Sequence, residues 1–192
     1  MIELNDTYGP RKNSNILLTD IDTDDVHTCI PSKLNIKYLA KAPNELNGNM
    51  SGIMYGVNLR LFCATTIKIK NKIKMIIFLV DTGSSETYIS EEVLRSFRIE
   101  LADPLNDSIH VSINNKGEWV KMSHSNFKDI CILGMRFLTS NKVGLHAFCG
   151  DDIFYLNFDE ELKSNNDEVI GGCFMIIFLI LVFFTEYLNN FP

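Results

Sequence analysis

The sequence predicts a mainly β domain with one or two short helices, followed by a C-terminal apolar helix. Three observations carry this. Between residues 51 and 158 apolar and polar residues alternate in short runs, as in Ile67-Lys68-Ile69-Lys70, which is the pattern of strands buried on one face. Turn chemistry separates the runs, at Asn71-Lys72 and at Asn114-Asn115-Lys116-Gly117, and marks hairpins. Residues 169–184 read VIGGCFMIIFLILVFF, with no charge and no polar face, which is the pattern of an apolar helix.

At 192 residues the chain holds one domain of ordinary size plus extra segments, and 46% apolar residues suffice for a core. A formal charge of −6 argues against a nucleic-acid partner, since phosphate binding needs a basic face. The five cysteines (Cys29, Cys63, Cys131, Cys149 and Cys173) form no C-x-x-C pair, and no histidine stands at ligand spacing. Neither a metal site nor a disulfide framework is signalled, and reduced thiols in a cytosol-facing protein are the expectation. Sequons at Asn5, Asn49 and Asn106 leave a lumenal location open. Residues 1–19 are polar and contain no secretory apolar region.

Residues 1–50 read as a poorly structured acidic segment. Asp20, Asp22, Asp24 and Asp25 lack the glycine and terminal glutamate of a calcium loop, so a solvated acidic stretch is expected. A short helix is expected within residues 32–42, and residues 44–51 resemble a linker. Strands are expected over 53–62 and 64–70. Ile73, Met75, Ile77 and Leu79 then alternate outward to Asp81. Lys68, Lys70, Lys72 and Lys74 make the solvated face of that hairpin. Ser90 is an N-cap, with Glu91 and Glu92 in the first turn and Val93, Leu94 and Phe97 on the apolar side of the helix. Ile109, Val111 and Ile113 lead into the asparagine-rich tip, and residues 118–122 return from it. Strands over 143–148 and 153–158 close the domain.

Residues 159–168 form a polar linker, and residues 169–188 a single C-terminal membrane anchor. The uncharged run falls slightly short of the ~20 residues that cross a bilayer, so a buried terminal helix and a chance apolar tail are the alternatives. Lys163 precedes the run and no Lys or Arg follows it, which favours a membrane-anchored protein with its folded domain in the cytosol.

The chemistry concentrates at residues 78–90, where the apolar strand Phe78-Leu79-Val80 ends in Asp81-Thr82-Gly83-Ser84. A carboxylate at the end of a buried strand is expensive unless something holds it. Thr82 and Ser84 offer donors, and Gly83 permits a tight turn. Further on, Ile132-Leu133-Gly134-Met135 runs an apolar strand into glycine and a short helix. Together these stretches resemble the Asp-Thr-Gly-Ser loop and the Ile-Leu-Gly-Met signature of retropepsin-like, single-lobe aspartic proteases of the retroviral and retrotransposon type. Arg136 stands where such relatives often carry an acid.

The resemblance, over about residues 51–158, implies a closed β-barrel lobe, no cofactor and no metal. It implies that Asp81 is catalytic and that Thr82 locks two loops together across a dimer axis. Ser84 would hydrogen-bond the outer oxygen of Asp81, and Gly83 would permit close approach. Ile132 and Leu133 would cross beneath the loop, with Gly134 allowing the contact. A hairpin between the loop and the last third of the domain would serve as the substrate-covering flap. Trp119 reads equally as a flap contact or an ordinary packed tryptophan. Asp-Thr-Gly occurs once, so the second carboxylate would be Asp81 of a second copy. The substrate would be a polypeptide. The alternative is a catalytically silent, membrane-anchored dimerisation module of the same fold.

Overall fold

The computed structural model describes residues 20–158. The linker at 159–168 and the apolar segment at 169–188 lie outside the described residues. Among the described residues no helix is long and apolar enough to cross a membrane.

The domain is mainly β. Its strands are β1 (Met50–Tyr55), β2 (Arg60–Ile69), β3 (Lys72–Asp81), β4 (Thr87–Ile89), β5 (Ser108–Ile113), β6 (Lys116–Met122), β7 (Cys131–Gly134), β8 (Gly144–Phe148) and β9 (Ile153–Asn157). The helices α1 (Ile30–Lys33), α2 (Glu91–Ser96) and α3 (Met135–Ser140) are short. The sheet runs β3-β7-β4-β6-β5-β2-β1-β9-β8, and β2 also pairs with β3. Six strands therefore close into a barrel, and β1, β9 and β8 continue outward from β2. Closure removes the open edges that a six-stranded sheet would otherwise expose.

Local chemistry accounts for most boundaries. The Ser90 hydroxyl accepts the Val93 amide and starts α2 as expected. Asn114 and Asn115 both adopt left-handed φ, 51° and 61°, the requirement of a two-residue hairpin turn. The return strand β6 therefore begins at Lys116. The strand expected over 53–62 is broken at Gly56, whose φ of +78° makes it a turn residue. The next turn centres on Lys70-Asn71 rather than Asn71-Lys72, with the positive φ at Lys70.

Strand β3 departs from simple alternation. Residues 76–80 are all buried, because the strand is covered on both faces. Ile76, Phe78 and Val80 point into the barrel with Cys63, Ile67, Val93, Ile113, Leu133 and Phe137. Ile77 and Leu79 point the other way, into a second cluster with Phe62, Ile130 and Ile132.

That second cluster corrects the expectation for residues 20–49, which are folded onto the domain. Asp25–Cys29 form a π-helical turn that runs into α1, and Ile21, Val26 and Ile30 are buried against Ile77, Leu79 and Ile132. Leu34, Ile36 and Tyr38 complete the cover. Residues 39–42 then pair with the first half of β3, through Leu39 N to Met75 O (2.9 Å), Met75 N to Ala40 O (2.9 Å) and Ala42 N to Ile73 O (3.0 Å). The helix expected within 32–42 lies earlier, since α1 ends at Lys33 and Asn35 takes a left-handed φ. The acidic residues are engaged as well. The Asp22 and Asp25 carboxylates accept each other's amides at 2.9–3.1 Å, a reciprocal cap. Asp25 also accepts the Tyr55 hydroxyl at 2.6 Å, and Asp20 pairs with Arg60 at 2.8 Å.

The expected linker at 44–51 is likewise pinned. The Leu46 amide donates to Thr65's neighbour Thr66, and the Phe158 amide to Asn49 Oδ1. Glu45 pairs with Lys68 at 2.9 Å.

Candidate active site

Asp81 is the last residue of β3. It lies in register with Gly134 of β7, in a parallel pair that also matches Leu79 with Ile132 and Val80 with Leu133. Strand β4 returns against β7 at Tyr88–Ile132 and lies parallel to β6. The two sequence stretches expected to meet are therefore side by side, with Ile132 and Leu133 flanking the strand that carries Asp81.

Gly134 is required by close approach. A Cβ there would collide with the carbonyl of Glu86 and come within 3.0 Å of that of Ser84. Immediately after it, the Met135 amide donates to Ser84 O (2.8 Å) and the Arg136 amide to Ser85 O (3.1 Å). These are first-turn amides of α3, which have no partner within their own helix. The start of α3 thus finds its acceptors in the Asp81 loop, and the loop is clamped by the helix.

The loop closes on itself. The Gly83 amide donates to Asp81 Oδ1 at 2.9 Å, and the Ser84 amide to Asp81 O at 3.2 Å. Asp81 is half-buried and Thr82 and Gly83 are exposed, so the carboxylate stands at an accessible surface. One detail differs from expectation. The Ser84 hydroxyl donates to Glu86 O at 2.8 Å rather than to Asp81, because the loop folds that carbonyl back over it. Gly83 does not use a left-handed φ. A Cβ there would stand 3.2 Å from Asp81 Oδ1, so the glycine serves the carboxylate's packing.

Sequence reasoning missed an ion pair beside the loop. Arg136 forks onto Glu86, Nη1 to Oε2 at 3.0 Å and Nη2 to Oε1 at 2.7 Å, the bidentate geometry that fixes both partners. Glu118 of β6 is buried, and burial pushes its carboxyl up although the Arg136 charge opposes this. The available signal was the lone arginine following an apolar-Gly-Met run, with an acid five residues beyond Asp81.

The flap expectation does not hold in its simple form. Among the described residues, β5–β6 is the hairpin between Asp81 and Ile132, and its tip is fastened to the domain. The Asn114 amide donates to Thr66 O (3.0 Å), its Oδ1 accepts the Thr65 hydroxyl (3.1 Å), and its Nδ2 donates to Gly48 O (2.7 Å). Asn114 is 1% exposed, so this tip is a packed corner and not a free arm. Trp119 is 57% exposed and meets the His110 ring edge-on at 5.4 Å.

The buried thiols are inert by the same physics. Burial pushes Cys63 up to about 12 and Cys131 to about 11, far from a thiolate at neutral pH.

No protein-family model and no curated protein matches the sequence. Among solved structures, the chain is similar to a retropepsin-like aspartic protease from Rickettsia conorii. The identity is 20% and the TM-score 0.41, over 61% of this chain and 96% of that one.

Proposed function

We propose that the chain is an aspartic endopeptidase whose active site forms when two copies bring their Asp81 carboxylates together. The observation that carries this is the half-exposed Asp81 at the end of β3, in register with Gly134 and held in a loop clamped by α3. A C₂ pairing supplies the second carboxylate, because the same residue meets itself at the axis.

The mechanism follows from electrostatics. Two carboxylates about 3 Å apart cannot both ionise comfortably, so they share one proton and titrate as a unit. The ionised member takes a proton from a bound water, which attacks the peptide carbonyl. The protonated member donates to the carbonyl oxygen in the same step. Asp81 supplies both roles, one from each copy. Gly83 holds one oxygen of each carboxylate, which leaves the other free for water or substrate.

The purified chain is expected to cleave a peptide library at mildly acidic pH, with specific activity rising with protein concentration. Asp81→Asn abolishes turnover and keeps the fold, and cleavage that persists in that variant refutes the mechanism.

A second reading has its own observation. The β5–β6 tip is fastened to β2 through Asn114, which favours a silent dimerisation module of the same fold. It predicts dimers without turnover at any pH, with wild type and Asp81→Asn indistinguishable.

A further inference from the structure

Side chains two apart on a strand share a face, so Asp81, Leu79 and Ile77 of β3 project to the same side. The β3–β7 register places Ile132 beside Leu79, and both belong to the cluster on that side with Ile77 and Ile130. Tyr88 and Phe127 pack at its margin, ring centroids 5.2 Å apart. The surface leading away from the carboxylate is thus an apolar trough. The other face of the same strands is the barrel interior, which no substrate can enter.

The trough is occupied by the chain's own N-terminal segment. Ile21, Val26 and Ile30 sit in it, and Ile30 is fully buried. The segment reaches the trough but leaves Asp81 half exposed. Its named polar ties lie at the rim: Asp20 to Arg60, Asp25 to Tyr55, and His27 to Glu92 at 3.1 Å. Its helix is a π-helical turn plus four α-helical residues, too short to persist in water without the trough. Such a segment owes its order to the surface beneath it.

We propose that residues 20–38 are a built-in occupant of the substrate groove. They fill the positions that the side chains of a polypeptide substrate would take, and while bound they lower the fraction of chains whose groove is open. The groove they fill selects aliphatic side chains, as their own Ile21, Val26 and Ile30 indicate. This rests on reading Asp81 as the catalytic carboxylate, but the occupancy can be tested apart from turnover.

The experiment uses the full chain with a site-specific protease sequence inserted between Pro43 and Asn44, ahead of the residues pinned to β2. The probe is a fluorescein-labelled peptide of residues 20–38. Intact chain should not bind it. Cut chain, washed free of its segment, should bind it, and an unlabelled octapeptide rich in Ile, Leu and Val should displace it. Peptidase activity should rise about tenfold or more on cutting, since the competent fraction sets the apparent affinity. Probe binding and displacement without turnover sustain the occupancy and sink the endopeptidase reading. A cut chain that releases the segment, keeps its fold and neither binds the octapeptide nor cleaves it overturns the proposal. Loss of the fold on release overturns it too, because an occupant must be separable from the domain. If the cut segment stays bound, Ile30→Glu supplies the release, and the same outcomes decide.

Discussion

The two faces of β3 are closed in different ways. The inner face, with Ile76, Phe78 and Val80, meets residues from β2, α2, β5, β7, α3 and β9, so it is filled from the whole length of the domain. The outer face, with Ile77 and Leu79, shares its cluster with Phe62, Ile130 and Ile132, and its cover of Ile21, Val26 and Ile30 comes from one short stretch that precedes β1. A cluster assembled from many elements can only come apart with the fold. A cluster closed by one local segment can open by itself, at a free energy below that of global unfolding. The carboxylate at the end of the strand belongs to the face that can open.

The largest effect should come from the inner face. Phe78 is fully buried in the barrel, so Phe78→Ala should cost about 3–5 kcal/mol through lost transfer energy and an unfilled cavity. Urea unfolding should show it as a lower midpoint for the whole domain. A change confined to the N-terminal segment would break the comparison.

The outer face should respond less and locally. Ile30→Ala deletes a fully buried side chain, and about 2 kcal/mol is expected, the low end for Ile→Ala, since a short segment can settle into the space. The barrel should keep its midpoint. Amide exchange should quicken over residues 20–38, and an apolar dye should bind the uncovered Leu79 and Ile132. Equal loss of protection in β5 and β6 would mean that the two faces are one cooperative unit.

Legibility in the sequence follows the same division. The barrel strands announced themselves because each repeats a local pattern: alternation in Ile67–Lys70, hairpin asparagines at Asn114-Asn115, and a serine cap at Ser90. The partnership of Asp81 with Gly134 was legible only through the resemblance of the two stretches to a known pair of motifs, since an apolar pair before glycine is common on its own. The N-terminal cover was not legible. Its apolar residues are spaced among aspartates, and their burial depends on a surface formed much later in the chain. The reciprocal Asp22–Asp25 cap was a local signal that an acidic reading absorbed. The pinning of the β5–β6 tip was hidden for the same reason, since Thr65, Thr66 and Gly48 are remote in sequence from Asn114. Ser84's choice of Glu86 O over Asp81 is a matter of loop path, which residue types do not encode.

The smallest effect should lie at the rim, where it sharpens the comparison through pH. Burial opposes ionisation of Asp20, but the hydrogen bonds of Arg60 and Asn58 and the charge of Arg60 outweigh it and hold the carboxyl below its ordinary 3.8. Because the folded group titrates lower than the unfolded one, its contribution is complete above 3.8 and is lost as pH falls through the depressed folded value. The pair is a single tie at the edge of the segment, its side chains 14% and 8% exposed, so its loss should act locally. Acidification should therefore loosen residues 20–38 before it touches the barrel, visible as dye binding that rises at low pH while far-ultraviolet circular dichroism holds. Asp20→Asn should raise dye binding slightly at neutral pH and flatten its acid dependence. An acid profile identical to wild type would move the pH sensitivity away from this pair.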